Sequence, residues 1–307
     1  ILAGCGSKKS ETKAAETTAE TAAETKVDET KTAGKTTGKA ADKVIMVVSF
    51  GTSYNDSRDA TIGAIENAIA DAYPEYEVRR AFTSQIIIDK LKERDGLEID
   101  NVEEALDRAV ADGVKTLVVQ PTHLMDGYEY TDLTNALEDY KDKFEQIVLG
   151  TPLLTRDEDF EAVAKAIAEA TASYDDGATA ISFMGHGTEA DSNEVYAKLQ
   201  EVMTADGYEN YFIGTVEAEP SLEDVIAAIK ENGSYTKVVL EPLMVVAGDH
   251  ANNDMAGDEE DSWKTILEKE GFNVKVHVKG LGENPYIQEK FKNHALDCMK
   301  ELQEASI

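Results

Sequence analysis

The sequence has few cysteines, few basic residues and no long apolar run, and each shortage excludes a class of protein. Only Cys298 lies beyond residue 43, so the region that can fold cannot contain an internal disulfide. No run of about 20 apolar residues occurs, so no membrane-spanning helix is expected. Thirty basic residues stand against 61 acidic ones, and a formal net charge of −31 argues against a nucleic-acid partner.

The charge is distributed unevenly along the chain. Residues 1–43 contain 8 Lys and 7 acidic residues, whereas residues 44–307 contain 22 basic and 54 acidic residues, a formal charge of −32. Residues 6–43 consist almost only of Thr, Ala, Lys, Glu, Gly and Ser, with one Val and no aromatic residue. Such a segment has too little apolar surface to offset the entropy of ordering it. We therefore expect residues 6–43 to be a flexible tether.

Residues 1–5, Ile-Leu-Ala-Gly-Cys, resemble the end of a bacterial lipoprotein signal peptide. In that motif the cysteine, here Cys5, is lipidated on its thiol and becomes the new N-terminal residue. The alternative interpretation is an arbitrary start at a buried strand. Because a tether-like segment follows, we expect an extracytoplasmic protein that contacts the bacterial cell membrane only through its lipid anchor.

Residues 44–307 alternate between apolar strand patterns and helical patterns, which predicts an α/β fold with parallel sheets covered by helices. The pattern restarts near residue 178, because residues 181–188 (ISFMGHGT) parallel residues 48–52 (VSFGT). We therefore predict two similar α/β lobes, residues 44–176 and 177–307. Their strand ends would face a shared cleft, where open α/β sheets bind ligands.

Three polar side chains follow predicted strands of the second lobe. His186 and His250 lie in Gly-containing loops, and Glu217 ends a third strand. Strand ends of a parallel sheet converge on one edge, so the three side chains could share a site. Two imidazoles and a carboxylate suit a divalent first-row metal. Alternatively, each side chain caps a helix or completes a hydrogen bond in its loop.

Other candidates are less specific. His123 follows a strand of the first lobe, where it could be a further cleft ligand or a hydrogen-bonded structural residue. His277 and His294 suit surface or packing roles, on a strand and on the last helix. Neither phosphate-binding glycine motif is present, so no nucleotide cofactor is expected.

Several motifs resemble those of the anaerobic sirohydrochlorin cobaltochelatases, over nearly all of residues 44–300. They are residues 47–53 (VVSFGTS), 80–84 (RAFTS), 94–96 (RDG), 183–187 (FMGHG), 242–250 (PLMVVAGDH), 253–255 (NDM) and 280–285 (GLGENP). The resemblance implies the two-lobed chelatase fold shared with ferrochelatases. It also implies ATP-independent insertion of Co²⁺ into sirohydrochlorin during cobalamin synthesis.

In that family a His, a Glu and a His bind the metal, and they match His186, Glu217 and His250. The first also accepts a proton. Sirohydrochlorin is a polycarboxylate, so we expect local donors in the cleft, with Arg58, Arg79 and Arg80 as candidates. The residues expected to contact substrate are Ser53, Arg80, His123 and Thr188.

Three questions stay open at this stage. The ligand set accepts Co²⁺, Fe²⁺ and Ni²⁺ alike. An anchored member of the family could instead be a lipoprotein that binds haem, another tetrapyrrole or metal. A homo-oligomer is also possible.

Overall fold

A computed structural model of the chain describes residues 41–304. The lipidation motif at residues 1–5, with Cys5, and most of the predicted tether lie outside the described residues. The first strand begins at Lys43, so it includes the last residue that we assigned to the tether. No helix among residues 41–304 combines the length and apolar character needed to cross a membrane.

Two parallel sheets of four strands form the framework of the described residues, and both have the same strand order. The first is ordered β2-β1-β3-β4 and the second β6-β5-β7-β8. The predicted α/β fold with two similar halves is therefore confirmed. The strands are β1 (Lys43–Ser49), β2 (Glu77–Phe82), β3 (Thr116–Pro121), β4 (Gln146–Leu149), β5 (Thr179–Gly185), β6 (Tyr211–Thr215), β7 (Lys237–Pro242) and β8 (Asn273–Val276).

Helices connect the strands, and they cover both faces of each sheet. Two π-helical turns, Asp59–Gly63 and Ala251–Met255, follow β1 and β7. The α-helices are α1 (Asn55–Arg58), α2 (Ala64–Ala72), α3 (Gln85–Asp95), α4 (Val102–Ala111), α5 (Tyr128–Glu138), α6 (Asp157–Thr171), α7 (Glu194–Ala205), α8 (Leu222–Asn232), α9 (Trp263–Lys269) and α10 (Pro285–Glu304).

Helix ends follow the capping residues that the sequence provides. The Ser221 side chain accepts a hydrogen bond from the backbone N–H of Asp224 and caps α8. Gly113 has φ +76° just beyond α4, a left-handed conformation that glycine adopts without strain. Helix α5 was not predicted. It buries only Leu133 and Leu137, so its apolar pattern is too sparse to stand out.

Alternation along the central strands divides their side chains between an inner and an outer core. Ile45 and Val47 of β1 and Ile181 and Phe183 of β5 belong to one continuous apolar cluster, which also includes residues of α2, α6, α7 and α10. Parallel strands that are buried on both faces are mostly apolar, as β1 and β5 are. The two halves therefore share a core.

The outer faces of the two central strands pack into separate cores. Met46 and Val48 of β1 contact the cluster that contains residues of α4 and α5. Met184 of β5 contacts the cluster that contains Trp263 and residues of α8. Although α10 ends the chain, it packs against β3, β4 and α2 of the first half. The boundary predicted at residues 176–177 separates the sheets but not the helices that cover them.

A buried ion pair links α2 to β2. The Nε and Nη2 atoms of Arg80 donate to the two carboxylate oxygens of Glu66, at 2.7 and 2.6 Å. The Glu66 side chain is fully buried and the Arg80 side chain is 12% exposed. Removing one partner of such a pair leaves the other charge desolvated and uncompensated, which costs far more than losing an exposed pair.

We expect Glu66→Gln to lower the free energy of unfolding by about 3 kcal/mol, because it leaves the Arg80 guanidinium buried without a counter-charge. Chemical denaturation measures this loss. The control is Glu169→Gln, which removes the partner of Lys165 in an exposed pair at 3.8 Å. It should change stability by less than about 0.5 kcal/mol. Similar losses in both variants would contradict the role of the buried pair.

Candidate metal site

The second sheet brings His186, Glu217 and His250 together. His186 directly follows β5, Glu217 lies two residues beyond β6, and His250 lies in the loop beyond β7. Strand β5 is hydrogen-bonded to β6 on one side and to β7 on the other. The three loops therefore leave the same edge, and one potential ligand atom from each side chain lies within 4.8 Å of the other two.

The three side chains form an open arrangement. The imidazole rings of His186 and His250 are 4.6 Å apart between centroids and nearly perpendicular, at 88°. The Nε2 atom of His186 lies 3.8 Å from a carboxylate oxygen of Glu217. Nitrogen and oxygen ligands about 2.1 Å from one ion lie about 3–4 Å apart, so small side-chain rotations suffice to bind it. The side chains are 47%, 55% and 34% exposed for His186, Glu217 and His250, which leaves room for further ligands.

Hydrogen bonds orient both imidazoles. Nδ1 of His186 lies 2.7 Å from the carbonyl oxygen of Gly187, which can only accept. Nδ1 of His250 lies 2.7 Å from a carboxylate oxygen of Asp254. Each Nδ1 is therefore assigned as the donor, which leaves a lone pair on each Nε2. This tautomer is the one that binds a metal through Nε2, and a carboxylate behind a ligating imidazole strengthens it as a ligand.

Glycine allows the loop after β5 to approach the loop after β6. Gly187 has φ +87°, and a Cβ there would lie 2.8 Å from the backbone nitrogen of Ala218. The backbone N–H of Glu217 donates to the carbonyl oxygen of His186 at 2.9 Å. The hydroxyl of Tyr196 accepts from the N–H of Gly187, and burial raises the pKa of this phenol to about 12. The loop geometry, and not only the side chains, fixes the spacing of His186 and Glu217.

His123 does not join the other two imidazoles. Its ring nitrogens are buried and have no hydrogen-bond partner among the groups of residues 41–304. Burial lowers the pKa of this imidazole to about 4, so it is neutral at physiological pH. The structure therefore places His123 outside the trio, and the hydrogen-bonded structural role considered from the sequence has no partner among the described residues either.

The three arginines expected to contact substrate each have partners among the described residues, and their role toward a substrate stays a prediction. Arg80 is bound to Glu66, as described above. Arg79 donates to Asp112 at 2.7 Å and to Glu77 at 3.0 Å. The Arg58 side chain is only 8% exposed, and it donates to Asn55 at 2.8 Å. The sequence shows the charge of these residues but not the carboxylates and amides that fold against them.

Ser53 and Thr188 lie a few residues beyond the ends of β1 and β5. Ser53 lines a cavity of about 740 Å³ between the two halves. Thr188 is half-buried two residues beyond His186, and its hydroxyl accepts from the N–H of Ala190 at 3.2 Å. Of the remaining histidines, His294 is buried in the core and bonds Asp159 at 3.1 Å, which confirms a packing role.

Sequence reasoning missed Asp254, the carboxylate that orients His250. A detectable signal was present, because Asp254 follows His250 by four residues. That spacing places two side chains on one face of a helical turn. The helical character of residues 251–255 was not predicted, so the spacing did not indicate a contact between His250 and Asp254.

Relatives with related sequences cover most of this chain. The sirohydrochlorin cobaltochelatase of Salmonella typhimurium is 38% identical over 249 residues, which is 81% of this chain and 93% of that protein. The sirohydrochlorin cobaltochelatase CbiKC of Nitratidesulfovibrio vulgaris is 30% identical over 78% of this chain and 84% of that protein.

Solved structures with a similar fold are more distant in sequence. SirB from Bacillus subtilis, determined with Fe³⁺, aligns with a TM-score of 0.58 and 12% identity over 85% of this chain and 97% of that chain. CbiX, described as the terminal enzyme of sirohaem biosynthesis in denitrifying bacteria, aligns with a TM-score of 0.51 and 15% identity over 83% and 99%. At these identities the likeness shows the fold alone.

The family match is consistent with the arrangement of the strands and loops described above. Residues 43–300 match the family described as cobalt chelatase, CbiK. This range includes both sheets and all three residues of the trio. The chain therefore belongs to the CbiK cobalt chelatase family.

Proposed function

We propose that this chain is a sirohydrochlorin cobaltochelatase, which inserts Co²⁺ into sirohydrochlorin in anaerobic cobalamin synthesis without a nucleotide. The observation that carries the proposal is the open trio of His186, Glu217 and His250 at the edge of the second sheet. The Salmonella relative, 38% identical over most of both chains, is a protein of the same named activity. Co²⁺ is here a substrate, so the site must both bind and release it.

The geometry suits the exchange of ligands around a metal ion. Insertion requires that pyrrole nitrogens replace water on Co²⁺ and that the inner pyrrole protons leave. Three protein ligands on one side hold the ion and leave its other positions open to the macrocycle. Holding the metal and the ring together lowers the barrier by positioning, with no covalent intermediate.

Different hydrogen bonds suit the two imidazoles to different roles. His250 is backed by the carboxylate of Asp254, which favours a fixed metal ligand. His186 is backed only by a carbonyl oxygen, and its side chain is more exposed. We therefore assign the proton-accepting role to His186, in addition to metal binding, because a neutral imidazole accepts protons at ordinary pH.

His186→Ala should reduce the rate of Co²⁺ insertion by at least about 10²-fold at saturating Co²⁺, because it removes both a ligand and the proton acceptor. The rate is measured from the change in the absorbance spectrum of sirohydrochlorin.

His250→Ala is the matched control, because it removes a ligand and keeps the proposed acceptor. At saturating Co²⁺ it should retain more activity than His186→Ala. Wild-type rates in His186→Ala would contradict the chelatase mechanism and favour a tetrapyrrole- or metal-binding protein derived from a chelatase.

Glu217→Gln should weaken Co²⁺ binding by about tenfold, because it keeps the shape of the side chain and removes one negative charge beside the ion. Isothermal titration of the protein with Co²⁺ measures the change, and titrations with Fe²⁺ and Ni²⁺ compare the three metals. Combined with His250→Ala, the loss should be less than additive, since both residues act on one ion.

Glu223→Gln is the control for that titration, because Glu223 is an exposed acidic residue at the start of α8 and outside the trio. It should bind Co²⁺ like the wild type. Unchanged affinity in both Glu217→Gln and His250→Ala would place the metal elsewhere.

We also propose that Cys5 carries a lipid and anchors the domain outside the cytoplasm. The Leu-Ala-Gly-Cys sequence at residues 2–5 and the composition of residues 6–43 support this proposal. A flexible tether of that composition would hold the domain near the membrane without packing against the domain.

Cys5→Ser should move the protein from the membrane fraction to the soluble fraction of its bacterial host, and mass spectrometry should find the lipid on Cys5 of the wild type. Cys298→Ser is the control, because Cys298 is buried in α10 and should not affect the partition. An unmodified Cys5 in the membrane fraction would contradict the anchor.

A further inference from the structure

A cavity of about 740 Å³ lies between the two halves. Its walls include residues 53–57 after β1, Lys90 and Arg94 of α3, and Asn252, which lies two residues beyond His250. The two halves also touch here, because the backbone N–H of Ala247 donates to the Ser57 hydroxyl at 3.1 Å. Residues of both halves therefore form the walls of the cavity.

Helix α3 lines this cavity with Lys90 and Arg94, and Ile86 lies one turn before Lys90 in a row of three side chains. Ile86, Lys90 and Arg94 are spaced four residues apart, so they lie along one face of the helix. The Ile86 side chain is 78% exposed, so its apolar surface is accessible beside the two cations. Val278, from the second half, also lines the cavity and is 37% exposed.

The two cations of this row have different surroundings. Lys90 is exposed and forms no ion pair or hydrogen bond with any described residue. Arg94 donates to both carboxylate oxygens of Asp95 and to Oδ1 of Asn55, and the same Oδ1 accepts from Arg58. Its Nη1 donates no hydrogen bond to the described residues. Lys90 is therefore unpaired among the described residues. Arg94 is held in place by Asp95 and Asn55, and its Nη1 atom can still donate to a ligand.

The charge around the cavity matters because the substrate is a polyanion. Asp56 and Glu283 also line the cavity, so its walls are about neutral in formal charge. The carboxylate of Glu283 is already bonded to the N–H of Gly280 at 3.1 Å. Residues 44–307 carry a formal charge of −32, so a nearly neutral wall with free cationic donors is where a polycarboxylate meets the least repulsion.

We infer that Lys90 and Arg94 bind the peripheral carboxylates of the tetrapyrrole substrate, with Ile86 and Val278 against its hydrocarbon. This inference rests on the proposed function, and it assigns the carboxylate-binding role to α3 and not to the buried arginines. The cations orient the macrocycle relative to His186 and Glu217, and they distinguish a polycarboxylate ring from one that lacks these groups.

The test is the binding of sirohydrochlorin, and of its methyl ester without free carboxylates, to the metal-free protein. Lys90→Gln should weaken binding of the acid about fivefold and leave binding of the ester unchanged, because it removes one partly exposed ion pair. Lys90→Gln with Arg94→Gln should weaken it further. Absorbance titration gives both dissociation constants, and Co²⁺ affinity should stay at the wild-type value.

Lys92→Gln is the matched control on the same helix, because Lys92 does not line the cavity and pairs with Glu98. It should bind both ligands like the wild type. If Lys90→Gln and the double variant bind the acid as tightly as Lys92→Gln does, the carboxylates bind elsewhere and this inference is wrong. If the wild-type chain binds neither ligand, the proposed function itself fails.

Discussion

The site depends on one constraint, the hydrogen bonding of β5 to both β6 and β7. Gly185 at the end of β5 is in register with Thr215 of β6, and Met184 is in register with Pro242 of β7. All three strands therefore end at the same level, and the loops that follow carry His186, Glu217 and His250 to one place. A slip of one residue in either pairing would turn a ligand loop away, because successive residues of a strand face opposite sides.

The shared core extends this constraint to the whole cleft. Inner residues of both central strands, such as Val47 and Phe183, pack into one cluster with α6 and α10. Separating the halves would expose that cluster to water, which favours the two halves staying together. A reaction that relies on positioning a metal against a large ring benefits from such an arrangement.

Most of the framework could be predicted from local patterns, whereas the environment of each charge could not. Apolar runs, Ser221 and Gly113 identified strands and helix ends, because these features depend on neighbours in sequence. The trio was predictable because the ends of parallel strands converge. The ion pair of Arg80 could not be predicted, because its partner, Glu66, lies on another element. The burial of the His123 ring nitrogens without a hydrogen-bond partner among the described residues could not be predicted either, since burial depends on tertiary packing.

The exposed donor set of two imidazoles and one carboxylate has a consequence for metal selection. Sites with nitrogen and oxygen ligands follow the Irving–Williams order, in which Ni²⁺ and Cu²⁺ bind more tightly than Co²⁺. An open site with three ligands imposes little geometric preference that could reverse this order. At the candidate site this order would favour Ni²⁺ and Cu²⁺ over Co²⁺, and Co²⁺ over Fe²⁺. The identity of the inserted metal is governed by which ion is supplied and by how readily the macrocycle removes it from the protein.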